Sequence, residues 1–344
     1  MRKLDFILTI VGFFNLYSCQ QIRPLPNPLI NIQCGQNSFI RNVNLVPTTR
    51  PNQPVPTTCT YKIHAISGFI CQMRFELTEF SLLAPEISPF PRCVDESMTV
   101  GNVTLCGVNH GQHFYVPINP LRGERFLEMT ITTRSMPNNF NQRSTWRISV
   151  HQLECPLGQS RGVKSSNAIS ASENDSILPI RQPRLGLFSD WVAPQGCLQY
   201  FPHANGTVES FNLNNGIGPY IADMHYAICF RRTRANTAIS FIPMIFRMGY
   251  AVVSANNTGY DEACYSTTPT PGRPEDYLFI PNAMADATDT QPPFRATRFC
   301  AQSVLSHLIT SSPLGPFMIY FNSDTLYEAP TKEEIGFRFD YEIV

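Results

Sequence analysis

Four kinds of residue in this 344-residue chain could do chemistry: two neighbouring histidines, a Gly-x-Ser-x-Gly pentapeptide, eleven cysteines and four Asn-x-Ser/Thr tripeptides. Gly158-Gln159-Ser160-Arg161-Gly162 has the spelling of a nucleophile elbow. That device needs a strained turn between a buried strand and a helix, with an oxyanion hole beside it. Here the pentapeptide sits in a polar run just after Cys155, so the match is one of spelling alone. His110 and His113 are spaced H-x-x-H, which on a strand puts them on opposite faces. No Cys, Glu or third His flanks them as a metal site requires. The expected catalytic and metal residues are none, and no cofactor is expected.

The cysteines and sequons point to export instead. Arg2 and Lys3 precede an apolar run from Phe6 to Leu16 that is too short to span a bilayer, so residues 1–19 read as a secretory signal peptide. Leu16-Tyr17-Ser18-Cys19 only faintly resembles a lipoprotein box, because Tyr17 fits it poorly. Removing Cys19 leaves ten cysteines, an even number with no C-x-x-C pair among them, which favours five disulfides over zinc or reactive thiols. The sequons at Asn102, Asn174, Asn205 and Asn256 are then glycosylation acceptors. No later apolar stretch reaches about 18 residues, so no membrane span is expected. The terminal GFRFDYEIV lacks the features of a lipid-anchor signal. Formal net charge is zero and 15% of residues are charged, which leaves no electrostatic case for nucleic acid. The expected localisation is secreted and extracellular.

The elements that must position these residues are strands. With 24 Phe, 13 Tyr, 29 Pro and no long helical periodicity, the composition favours many short strands joined by Pro-rich loops. Residues 20–33 form a Pro-rich entry. From Cys71 the sequence alternates, with Met73, Phe75 and Leu77 on one face; Leu127, Met129 and Ile131 do the same, as do Trp146, Ile148 and Val150. Trp146 is therefore a core residue, whereas Trp191 could be core or surface. Residues 156–189, rich in Ser and Asn, have little to bury and read as a flexible linker. Beyond it, Pro243 marks an edge or bulge in a further strand. The last strand alternates Ile335, Phe337, Phe339, Tyr341 and Ile343 with polar residues.

The cysteines repeat. Cys34, Cys59, Cys93 and Cys106 are answered by Cys197, Cys229, Cys264 and Cys300, with middle gaps of 34 and 35 residues. The last gaps are 13 and 36, so the second copy carries an insertion at about 268–296. Its Pro, Asp and Thr content reads as a surface loop, and hence as a candidate for binding specificity. Cys71 and Cys155 have no counterpart in the second copy, and their joint absence there implies a Cys71–Cys155 bridge.

The ordered set Cys197, Gly206-Thr207-Val208, Ser210-Phe211-Asn212, Tyr220 and Cys229, closing on Ser323-Asp324, Gly336-Phe337 and Phe339-Asp340-Tyr341, resembles the CUB domain family. The first copy matches through Cys59-Thr60-Tyr61-Lys62-Ile63, Cys106-Gly107 and Gly111-Gln112-His113, and the form is similar to the arthropod branch. The resemblance implies an all-β fold of two antiparallel, jelly-roll-like β-sandwich domains, 34–155 and 190–344, joined by the linker. It also implies the bridges Cys34–Cys59, Cys93–Cys106, Cys197–Cys229 and Cys264–Cys300.

Many members bind calcium through acidic residues near the third cysteine and the final strands. Here Glu96 and Asp324 occupy such positions, but Ser88, Thr133, Arg134, Gly259 and Thr267 stand at the others. Calcium takes six to eight oxygens, largely from carboxylates, so no calcium site is expected. Relatives often precede a serine protease domain, yet no Gly-Asp-Ser-Gly or Ala-Ala-His-Cys segment is present. The reading is a non-enzymatic binding protein for an extracellular protein or glycan; the alternative is a regulatory companion or non-catalytic relative of a CUB-serine protease.

Overall fold

A computed structural model describes residues 29–48, 58–134, 144–155, 189–249, 259–264, 276–288, 292–301, 303–325 and 334–344. The signal peptide, nearly all of the linker, the Gly158–Gly162 pentapeptide, Asn174, Asn256 and Thr267 lie outside the described residues.

The first unit is a sandwich of two five-stranded sheets. One contains β1 (Ile30–Gln33), β3 (Asn42–Val46), β10 (Thr145–Glu154), β5 (Ile70–Ser81) and β8 (His113–Pro117) in that order. The other orders β2 (Asn37–Ser38), β4 (Thr58–His64), β9 (Phe126–Thr132), β6 (Ser97–Val100) and β7 (Val103–Leu105). The alternation along β5, β9 and β10 sets the inner faces: Met73, Phe75, Leu77, Met129, Ile131, Trp146, Ile148 and Val150 are all buried. Trp146 donates its indole N–H across the sandwich to the Tyr61 hydroxyl at 2.9 Å, and that hydroxyl donates to the Val46 carbonyl at 2.7 Å. Burial pushes the Tyr61 phenol up to about 12, so it stays a neutral donor and acceptor.

The second unit is one nine-stranded sheet folded over on itself. One face runs β11 (Cys197–Phe201), β13 (His225–Phe230), β18 (Phe317–Asn322) and the first part of β15 (Tyr277–Ala285). The other runs β17 (Ile309–Ser311), β14 (Ile239–Arg247), β19 (Gly336–Ile343) and β12 (Asn205–Glu209), with β16 (Phe294–Phe299) against β15. β15 makes the corner: Tyr277–Phe279 pair with β18, whereas Ala283–Ala285 pair with β17. Between them Asn282 adopts φ 48°, the left-handed conformation that Asn tolerates at a bend. Rings from the two faces meet inside, Phe230 lying 5.6 Å from Phe241 and 4.7 Å from Tyr341. Pro243 sits at a register shift of β14 against β19, beyond the stretch that pairs with β17, so its missing N–H leaves no gap in that ladder.

Two features differ from the sequence reading. Antiparallel pairing dominates, but β1–β3, β2–β4 and β11–β13 are parallel. In each case a short early strand lies beside a longer one further along the chain, and Cys34–Cys59 and Cys197–Cys229 tie those segments together. The 268–296 segment is also not simply a surface loop. Its Tyr277–Ala285 stretch is β15, with Leu278, Ile280, Ala283 and Ala285 buried, because an apolar alternation runs beneath the polar composition.

Five disulfides close: Cys34–Cys59, Cys71–Cys155, Cys93–Cys106, Cys197–Cys229 and Cys264–Cys300, with Cα separations from 5.0 to 5.8 Å. Cys71–Cys155 joins the start of β5 to the residue after β10, pinning two adjacent strands of one sheet.

Tyr61→Phe strips the buried Trp146 N–H and the part-buried Val46 carbonyl of their partner. A loss of about 1–3 kcal/mol in denaturant-unfolding stability is the expected result, and an unchanged midpoint would contradict the pairing.

Candidate binding surfaces and the seam between the units

The polar residues of the second cysteine segment converge on a seam between the two units. At its centre is Asn212, 2% exposed and held at φ 59°. Its backbone N–H donates to Asn109 Oδ1 at 2.7 Å, and its own Oδ1 accepts from the Val108 N–H at 3.0 Å. Its Nδ2 donates to the Pro219 carbonyl at 2.7 Å, so the whole carboxamide is used. Asn109 is fixed in turn by donating to the Cys106 carbonyl at 2.9 Å. Gly107, at φ 72°, lies against Asn212 so closely that a Cβ there would overlap the carboxamide. The Cys106-Gly107 pair therefore has a local reason: only glycine both adopts that backbone and admits the Asn212 side chain.

Flanking this hub, Gln112 Nε2 donates to the Ser210 carbonyl at 3.0 Å and to Glu209 Oε1 at 3.1 Å. His113 Nε2 lies 2.9 Å from the Tyr200 carbonyl and 3.3 Å from the Tyr200 N–H, so either neutral tautomer finds a partner on that one residue. Burial, then the Arg74 guanidinium, holds its pKa down at about 3, so the ring is neutral in the seam. Gln72 forms a pair of hydrogen bonds with the Ala193 backbone, donating to its carbonyl at 2.6 Å and accepting from its N–H at 3.0 Å. Trp191 lies over the Arg74 guanidinium at 4.6 Å. Its role is thus to pack the seam. The edge strands β8 and β11 face each other here, so neither edge is left open to pair with another chain.

His110 is elsewhere. Its Nδ1 accepts from the Phe80 N–H at 2.9 Å, so the two histidines share no ligand.

The residues at the calcium-type positions are engaged within the protein. Glu96 is buried, and its carboxylate accepts from the Leu83 and Arg134 N–H groups and from the Ser144 hydroxyl. In the second unit Asp324 donates its N–H at 2.6 Å to Asp276, which also accepts from the Tyr220 hydroxyl at 2.6 Å. Asp276 lies twelve residues past Cys264 inside the apparent insertion, where no local pattern marks it. Among the described residues no group of three His, Cys, Asp or Glu is arranged to hold a metal ion.

A second feature lies on the first unit. Phe39 stacks on His64 at 4.2 Å, and His64 meets Phe126 at 5.4 Å. Gln152 ties the surrounding loops together, donating to the Ile40 and His64 carbonyls and accepting from the Ile66 N–H. Phe39, Phe69 and Leu121 are 66%, 61% and 78% exposed around this stack.

Residues 194–344, essentially the second unit, match the family model described as the animal CUB domain. Among the solved structures that align, two cover 91% and 89% of the chain. The CUB1-EGF-CUB2 domains of rat MASP-1 share 14% identity over 91% of this chain and 99% of that chain, at a TM-score of 0.29. The CUB1-EGF-CUB2 domain of human MASP-1/3 shares 11% over 89% and 100%, at 0.28. No curated protein matches the chain.

Burial, then the neighbouring Asp324 charge, raises Asp276 from the ordinary carboxylate range to about 7. The folded state therefore holds this proton more tightly than the unfolded chain does. Its contribution to stability is fully present below about pH 4 and is lost as pH rises through 7. Buried neutral histidines such as His113 act in the opposite direction, so the difference between wild type and Asp276→Asn isolates the carboxyl. Relative to the variant, wild type should lose on the order of 2–4 kcal/mol between pH 5 and pH 8 in chemical denaturation. Parallel pH profiles would contradict the assignment.

Proposed function

We propose that the protein is an extracellular, non-enzymatic binding protein built from two CUB-like domains, 34–155 and 190–344, the first being a divergent copy of the second. The animal CUB match in the second unit supports this reading, since CUB domains are generally non-catalytic protein-interaction modules. Five disulfides support the extracellular setting, where thiols stay oxidised. Residues 1–19 act as the signal peptide, and Asn102, Asn174, Asn205 and Asn256 carry glycans. Asn102 and Asn205 are both exposed, as an acceptor must be.

The observation that carries the binding role is the aromatic end of the first unit. Soluble proteins seldom leave large side chains bare in one place without using them. Here Phe39 stacks on His64, which meets Phe126 at a tilt, with Ile66, Phe69 and Leu121 exposed on the neighbouring loops. The aliphatic members suit an apolar protein surface better than a sugar, so the partner is a protein. The polar surround, including Lys62 paired with Glu128 at 3.3 Å, forms the rim.

Phe39→Ala with Leu121→Ser tests this. Both side chains are exposed, so secretion and melting should be preserved. Capture of the protein partner from extracellular fluid should fall by about tenfold or more, the cost of removing interface anchors. A control, Ile242→Ser on the exposed face of β14, should capture as wild type does. Equal capture by all three proteins would reject this surface.

A further inference from the structure

A cleft of about 600 Å³ opens beside the seam, with one wall from each unit. That volume falls within the range of small-ligand sites. The first unit contributes Asn102 and Pro117; the second contributes Gln195, His225 and Tyr320. Asn102 is the second residue of the two-residue turn between β6 and β7, fixed by Val100 pairing with Val103. Gly101 supplies the positive φ, 59°, that the first position of such a turn requires. The turn thus holds an exposed sequon asparagine on the wall of a cleft whose opposite side belongs to the other unit.

We propose that the glycan on Asn102 is the occupant of this cleft and bridges the two units. The inference rests on the extracellular reading above. The covalent step is ordinary: a C1–N bond forms at Asn102 Nδ2, the glycosyl–phosphate bond of a lipid-linked oligosaccharide donor breaks, and one amide proton leaves. The new feature is where the sugar goes. The walls offer what a neutral sugar uses, namely the Tyr320 ring and the Pro117 ring for its C–H faces and Gln195 for its hydroxyls. Charge is sparse, because the lining holds one carboxylate, Asp223, and no Lys or Arg. A charged ligand would find little here. A sugar already tethered to the wall starts at high effective concentration, so modest contacts suffice to seat it. Asn205 provides the internal comparison: it lies on β12 against Glu342 of β19 and is absent from the cleft lining.

The full chain is expressed in a eukaryotic secretory host, and occupancy at Asn102 and Asn205 is read by mass spectrometry. Native amidase release should be several-fold slower at Asn102 than at Asn205. Backbone hydrogen exchange at 195–198 and 222–226 should rise several-fold in Asn102→Gln and Thr104→Ala, and in wild type deglycosylated after folding, but not in Asn205→Gln. An unmodified Asn102 beside a modified Asn205 overturns the proposal while leaving the extracellular reading intact. Equal release rates with unchanged exchange overturn it as well. Absence of glycan from both sites overturns the proposal together with the extracellular reading.

Discussion

The arrangement depends on one buried carboxamide. Asn212 spends its N–H, its Oδ1 and its Nδ2 at once, and two of those three bonds cross from one unit to the other. Breaking the seam without replacement would strand several buried donors and acceptors, each costing about 1–3 kcal/mol. Directional bonds of this kind fix orientation as well as proximity. The apolar contacts around them, such as Tyr115 against Tyr200, add area without choosing a register.

What the seam fixes, the two units then present. β8 and β11 cover each other, Trp191 packs on Arg74, and the cleft beside them takes one wall from each unit. The aromatic end around Phe39 remains outside, on a sandwich made rigid by Cys71–Cys155 and by the Trp146–Tyr61 bond. His113 is held deprotonated and Asp276 sits near its midpoint, as burial demands of groups without an opposite charge.

Much of this architecture is legible in the residues. The alternation in β5, β9, β10 and β19 names the inner faces because a strand has period two and these strands have one wet side. β15 is harder, since Pro, Asp and Thr on both flanks hide an alternating run from Tyr277. The parallel edge pairs follow from where early segments dock, which no local pattern encodes. The seam is the least legible part. Asn109, Gln112, His113 and Asn212 are polar residues in or beside turns, where such residues ordinarily meet water. They become core only because the fold brings together positions 103 residues apart, as in the Asn109–Asn212 bond. Asp276 is illegible for the same reason: its partners, Tyr220 and Asp324, lie 56 and 48 residues away.

The central claim is that the two units form one body held by the seam. Small-angle X-ray scattering of the full chain, beside an Asn212→Ala/Gln112→Ala double variant, tests it most directly. The wild type should give a single-peaked distance distribution, and the variant should broaden it toward two separated bodies. A wild type that already shows two separated bodies, indistinguishable from the variant, would contradict the account.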